Sequence, residues 1–423
     1  MRRRPRFLLC SYNYEPEPTG IGAYTTTMAR YLHLAHGWDV QVFTGIPHYP
    51  WWHVHPDYAS RDFRRGRADE TLGGVTVHRL PHFVPDGPPG GLARIRLDLS
   101  WLIALALRLA RERRRPDYCF FVAPPFLAGV LARALARWWR VPVQYHVQDL
   151  QVDAAADLGM LPRPLCAAML AIERWILRGV DVLSTVGRGM RRRLLAKDPA
   201  RIRCRFLPNW ADATAVQPAT GANAYRREWG LNDEDVLVFY SGNMGRKQGL
   251  ETLVTALAGC ADDPRLHAVL AGSGAVRDEI AATCKTDGLD RIRLMDLQPR
   301  ERLSEFLNAG DIHCLPQKRA VADLVLPSKL LNIMAAGKPV IACAEPSTEL
   351  ATIVRTVGCG LVVAPEDPAA LRAVILALAA DPARRQAMGV AARRYVEHRL
   401  SRAAVLDTFA ARVRRRLARH RRG

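Results

Sequence analysis

Short apolar runs alternate with helical patterns along almost the whole chain. Arg6-Phe-Leu-Leu-Cys-Ser11 leads through a turn-rich loop ending in Gly20-Ile-Gly22 to a helix over about 23–34. Further strands follow at 40–44, 75–80, 117–122, 141–146 and 181–186, with helical stretches at about 92–114, 126–140 and 165–177 between them. The alternation resumes at Val236–Ser241 and continues through 267–271, 292–295, 312–315, 340–342 and 360–363. Apolar strands of this kind belong inside a sheet covered on both faces, and a strand that returns through a helix returns parallel. The pattern predicts an α/β protein with two Rossmann-like doubly wound domains facing a cleft.

A chain of 423 residues exceeds one ordinary core. The alternation divides it into a first domain over 1–208, a polar linker over 209–232 and a second domain over 233–381. A basic helix and tail over 382–423 is expected to pack back on the first domain, with its last arginines frayed. Two segments resist regular structure. The loop from His48 to Pro56 is crowded with His and Trp, and suits a sugar- or partner-facing surface or simple packing. The run Pro81–Gly91 is dense in Pro and Gly and reads as a mobile flap.

Charge is the compositional outlier, with 61 Lys and Arg against 41 Asp and Glu. Such a surplus calls for anionic partners, although a chain rich in Ala, Gly and Pro also carries arginine through composition alone. No helix-turn-helix, RNA-binding signature or zinc spacing accompanies the charge, so nucleic acid is not expected. The nine cysteines are scattered, as suits a reducing cytosol. The longest apolar run, Leu99–Leu107, falls short of the roughly 20 residues a membrane span needs.

Ligands of doubly wound sheets bind beyond the carboxyl ends of the strands. His146, Asp149 and Asp153 follow one such end in the first domain. In the second, Ser241-Gly-Asn-Met-Gly-Arg-Lys-Gln-Gly249 places Gly242, Asn243, Arg246 and Lys247 between a strand and a helix. Glycine lets backbone N–H groups approach phosphate oxygens, and the cations can neutralise them. Ala271-Gly-Ser-Gly-Ala275 brings Gly272 after another strand, and Leu297 and Gln298 follow a third. Leu326-Pro-Ser-Lys-Leu-Leu-Asn332 opens a helix with Ser328, Lys329 and Leu330. A cation at a helix amino end is disfavoured unless an anion meets it. These loops together predict a nucleotide-diphosphate site. Asp233-Glu-Asp235 precedes its strand rather than following it, so no metal is expected.

In this order Gly20-Ile-Gly22, Pro208-Asn-Trp-Ala-Asp212, Gly242–Gly249, Gly272-Ser-Gly274 and Pro327-Ser-Lys through Ala336-Gly-Lys-Pro339 resemble a GT-B, family-4 retaining glycosyltransferase. Tyr240-Ser-Gly-Asn243 and His146-Val-Gln-Asp149 are most similar to colanic-acid-type fucosyltransferases and N-acetyl-fucosaminyl transferases of bacterial surface polysaccharide synthesis. The resemblance implies an NDP-sugar donor, GDP- or UDP-linked, and no cofactor. Gly22, Gly242, Asn243, Arg246, Lys247, Gly272, Ser328, Lys329, Leu330 and Asn332 become donor or diphosphate contacts, with the base near Leu297 and Gln298. His146 and Asp149 become catalytic candidates, and Asp153 an acceptor contact. His146 is equally readable as a packed strand-end residue.

Two positions depart from the family pattern. Its paired glutamates fall on Leu324 and Asn332, and its lysine lies one residue later than Lys247. A catalytically silent sugar-nucleotide or lipid-binding scaffold is therefore the alternative. Arg133, Arg137 and Arg140 beside Trp138 and Trp139, and Arg174 and Arg178 around Trp175, suit a peripheral face on anionic membrane. The expected setting is cytoplasmic, at the inner face of the plasma membrane, with a lipid-linked saccharide as acceptor.

Overall fold

The computed structural model describes residues 4–17, 20–60, 62, 69–87, 90–157, 162–219, 221–319 and 328–420. It forms two compact units, one of residues 1–208 with 406–423 and one of 209–405. The first holds an eight-stranded sheet in the order β3-β4-β2-β1-β5-β6-β7-β8. Its strands are β1 (Arg6–Cys10), β2 (Asp39–Gly45), β3 (Asp69–Leu72), β4 (Val75–Leu80), β5 (Tyr118–Ala123), β6 (Val143–Val147), β7 (Val182–Thr185) and β8 (Cys204–Phe206). Only the β3–β4 pair is antiparallel. β3 and β8 are not apparent in the sequence because they are short edge strands and carry charge.

The second unit holds a six-stranded sheet in the order β11-β10-β9-β12-β13-β14, parallel throughout. Its strands are β9 (Val236–Ser241), β10 (Leu266–Ala271), β11 (Ile292–Met295), β12 (Ile312–Pro316), β13 (Val340–Cys343) and β14 (Gly360–Val363). Successive side chains of a strand point to opposite faces. Leu237, Phe239, Val340 and Ala342 accordingly enter one core, while Val238, Tyr240, Ile341 and Cys343 enter the other. Apolar residues at every strand position are needed because both faces are covered.

The described arginines of the carboxyl-terminal segment are not frayed. A helix runs unbroken from Arg402 to His420. Phe409, Val413 and Leu417 are buried at helical spacing. Phe409 meets Phe7 and Phe120 edge-on, with ring centroids 6.1 and 5.5 Å apart. Elsewhere in the first unit, residues 81–87 and 90 lie outside helix and strand, and the helix after them spans Gly91–Arg111.

Removing the Phe409 ring deletes these contacts and leaves a cavity. Phe409→Ala should cost about 3–5 kcal/mol of stability. Urea unfolding of the full chain measures it, and an unchanged first-unit transition would show that the helix is not held by this face.

Candidate active site

Strand order in the second sheet reverses between β9 and β12, which opens a crevice beyond their carboxyl ends. The turn after β9 is held against the turn after β10. Gly242 N–H donates to the Ala271 carbonyl at 2.8 Å, and Met244 N–H to that of Ser273 at 2.8 Å. Val276 N–H returns to the Met244 carbonyl at 3.1 Å. A Cβ on Gly272 would lie 1.9 Å from the Gly242 carbonyl oxygen, and one on Gly274 2.6 Å from that of Met244. Glycine is required here because two backbones meet.

Lys329 reaches the same turn from the helix Ser328–Ala335. Its Nζ donates to Tyr240 Oη at 2.7 Å and stands 4.2 Å from the Tyr240 ring centroid. Tyr240 Oη in turn donates to the Asn243 carbonyl. The lysine stem covers Gly242 so closely that a Cβ there would be 2.1 Å from Lys329 Cε. Burial lowers Lys329 to about 8, and no carboxylate among the described residues offsets that cost. A cation so placed is a candidate contact for an anion.

The neighbouring candidates surround this point unequally. Arg246 is paired with Glu279 at 2.8 Å, while Lys247 is exposed and its carbonyl accepts from Lys318 N–H at 3.2 Å. The Lys318 ammonium lies 2.5 Å from Glu251. Leu297 is 55% exposed after β11, a large apolar side chain left in solvent. Gln298 accepts from Tyr225 Oη at 3.1 Å. Leu330 is wholly buried, so only its backbone is available at the helix start. Asn332 is half-buried one turn further on, and Leu324 lies outside the described residues. Arg277 donates to the Gly272 carbonyl at 3.2 Å and to Asp296 at 3.1 Å. Neither Tyr240 nor Arg277 stands out by sequence position. Tyr240 is legible only as a polar-tipped residue near the end of an apolar strand.

The remaining candidates belong to the first unit. Gly22 lies in the first turn of the helix Ile21–His36, where a Cβ would meet Glu17 at 3.3 Å. His146 is 3% exposed, its Nδ1 2.9 Å from Ser184 Oγ and its ring 5.3 Å from Phe120. Burial lowers it to about 3, so the ring stays neutral. Asp149 is exposed in the loop after β6, and partial desolvation raises its carboxyl above the usual range. Asp153 is engaged by Lys197 Nζ at 2.5 Å, and the same ammonium contacts Glu173. Sequence order alone does not suggest that three-membered cluster. Of the His48 loop, His48 is buried, its Nδ1 2.9 Å from the Ile46 carbonyl, while Trp51 and His53 are exposed. Of the aromatics proposed for a membrane face, Trp138 and Trp175 are exposed but Trp139 is in the core. The Arg133 guanidinium stacks 4.1 Å from the Trp175 ring centroid. Among the described residues, no group of three or more His, Cys, Asp or Glu is placed to hold a metal ion.

Residues 19–210 match the family model described as "Glycosyl transferase 4-like domain", and residues 222–395 that described as "Glycosyl transferases group 1". The chain is 34% identical over 417 residues to WcaI of Escherichia coli (strain K12), a glycosyl transferase named for colanic acid biosynthesis, covering 96% of this chain and 98% of that protein. It is 28% identical over 281 residues to the glycosyltransferase WbjE of Pseudomonas aeruginosa, covering 64% and 68%. Among solved structures it resembles sucrose-phosphate synthase from Thermosynechococcus elongatus, with TM-score 0.74, 21% identity and coverage of 98% and 100%. Anabaena Alr3699/HepE in complex with UDP and glucose gives TM-score 0.67 at 16% identity, covering 97% and 99%. WaaG, a glycosyltransferase of lipopolysaccharide biosynthesis, gives 0.64 at 17%, covering 95% and 98%. The fold is GT-B.

In the absence of ligand, Lys329 should reveal itself in stability. Its value is about 8 in the folded chain and returns to the ordinary lysine range on unfolding. Between those values the unfolded chain holds a proton that the folded one has released, so stability rises with pH across that window. Lys329→Met should be more stable than wild type at about pH 7, and the difference should shrink by about pH 9.5. Urea midpoints at the two pH values check this; a constant difference would place the ammonium in solvent.

Proposed function

Because this chain belongs to the group 1 glycosyltransferases, we propose that it moves a sugar from a nucleoside-diphosphate donor to a lipid-linked saccharide. The reading places the chain in surface polysaccharide synthesis, as the name of WcaI does for that protein. The transfer is metal-independent and retains configuration. The observation that carries the reading is Lys329, a half-buried cation laid across the Gly242 turn at the point where strand order reverses.

A retaining transfer needs its leaving diphosphate stabilised more than it needs a strong base. The Lys329 ammonium and the free N–H groups that open the helix Ser328–Ala335 supply fixed positive charge where that negative charge develops. Lys247, exposed in the loop after β9, adds a second cation, and Gly242, Asn243 and Gly272 form the turns that face the phosphates. Exposed Leu297 gives a nucleobase an apolar surface beside Gln298. Asn332 takes the place of a glutamate toward the ribose or sugar. Asp149, with its raised carboxyl, is the group fitted to orient an acceptor hydroxyl. The silent-scaffold reading rests on Asn332 standing where the family has a carboxylate, and predicts donor binding without turnover.

Membrane attachment finds its support on the helix Gly91–Arg111. Leu92, Ile95, Leu99, Ile103 and Leu107 are all at least 42% exposed, at helical spacing. Exposed Arg96, Arg111 and Arg113 flank the stripe, which suits the boundary of an anionic bilayer. No helix of the described residues is long and apolar enough to cross one.

Replacing Lys329 by Ala should weaken donor binding and lower turnover, by a charge-assisted contact of about 1.5–3 kcal/mol. Calorimetry with UDP- and GDP-sugars and a transfer assay in EDTA test this together. Unchanged donor affinity would remove Lys329 from the site, and loss of activity in EDTA restored by Mg²⁺ would refute metal independence. For the membrane, Ile95→Gln/Leu99→Gln/Ile103→Gln should release the protein from anionic vesicles and leave donor affinity intact. Unaltered vesicle flotation would exclude this helix.

A further inference from the structure

Arg191, Arg205, Arg412, Arg415, Arg416 and Arg419 line one cavity of about 540 Å³ in the first unit. Four of them come from one face of the helix Arg402–His420, where positions three and four apart are neighbours. A neighbouring face of that helix is buried through Phe409, Val413 and Leu417, so packing fixes the helix and with it the arginines. Cys204 and Phe206 of β8 contribute the remaining wall.

Two of the arginines are anchored by backbone carbonyls rather than by carboxylates. Arg191 Nε donates to the Cys204 carbonyl at 2.8 Å, and Arg412 Nη1 to the Phe206 carbonyl at 3.3 Å. A carbonyl fixes a guanidinium but leaves its charge in place. Among the described contacts, the carboxylate nearest this cluster is Asp181, 3.8 Å from Arg416. It already accepts from Val143 N–H at 3.0 Å. Six like charges around one cavity repel unless an anion enters. Guanidinium groups present planar N–H forks that match phosphate oxygens.

The position is separate from the strand-end site. Arg416 also borders a cavity with Val141, Pro142 and Asp181, residues that precede β6 and β7. The cluster therefore runs along the edge strand β8, from Phe206 to Asp181 before β7.

We infer that this cavity binds a compact polyanion carrying two or more phosphoryl groups. A single phosphate offers too little charge for six guanidiniums. The phosphoryl groups belong either to a soluble molecule or to a lipid diphosphate headgroup.

Calorimetry of the full chain in the Lys329→Ala background, which disables the proposed donor site, tests this with sodium tripolyphosphate and orthophosphate. Tripolyphosphate should bind saturably, with orthophosphate weaker by roughly tenfold or more. Arg415→Gln/Arg419→Gln removes two exposed guanidiniums and should weaken tripolyphosphate by roughly tenfold with the melting temperature unchanged. Arg300→Gln/Arg384→Gln removes the same charge from exposed positions of the second unit and should leave binding within about twofold, since distant charges are screened. A second arm offers a long-chain isoprenyl diphosphate in phosphatidylcholine vesicles. Arg415-dependent binding there assigns the pocket to a lipid headgroup, and binding of tripolyphosphate alone assigns it to a soluble ligand. No saturable tripolyphosphate binding, or equal loss in both double variants, would overturn the inference.

Discussion

Parallel pairing governs this molecule. A parallel strand cannot be joined to its neighbour by a tight turn, so each connection must cross the sheet and return. Every loop that follows a strand then emerges at one edge, and every loop that precedes one emerges at the other. In the second sheet β9 has β10 on one side and β12 on the other, so its following turn has room beside it. The Gly242 turn, the Gly272 turn and Lys329 meet at that edge because the chain direction leaves them nowhere else to go.

The contact between the Gly242 and Gly272 turns removes side chains from the place where the backbone must be approached. Lys329 then covers Gly242, tied through Tyr240 Oη to the Asn243 carbonyl. Burial lowers the Lys329 value, and among the described residues no carboxylate pairs with it, unlike Lys318 and Arg246. Those two cations sit close by in sequence or space, yet each has its own acidic partner. A half-buried cation with no carboxylate beside it among the described residues, at a strand-order reversal, is the physical basis for reading this edge as a diphosphate site.

The first unit distributes its charges differently. Lys197 with Asp153 and Glu173 forms a closed cluster, and Arg79 is buried beside Glu70 at 2.6 Å. Its open charges are arginines on helix surfaces, accompanied by exposed Leu and Ile on the helix Gly91–Arg111 and by the cavity lined from the helix Arg402–His420. Apolar side chains left in solvent and guanidiniums left without carboxylates are separate features, on separate helices.

The α/β class, the central strands and the glycine turns were legible in the sequence, because apolar runs and glycines report a local requirement. Lys329 was legible for the same reason, since a lysine opening a helix is a local anomaly. β3 and β8 were not, being edge strands in which a few charged residues pair with a single neighbour. His146 carries the same strand-end signature whether exposed or packed, and only burial against Phe120 and Ser184 makes its ring neutral. Likewise Asp153 is acidic in any sequence, but its pairing with Lys197 spans 44 residues. The arginines of the last helix form a cavity only because Phe409, Val413 and Leu417 seat its neighbouring face on the first unit. Local sequence determines which element forms and where a backbone must bend; which charges are compensated depends on distant residues brought together by packing.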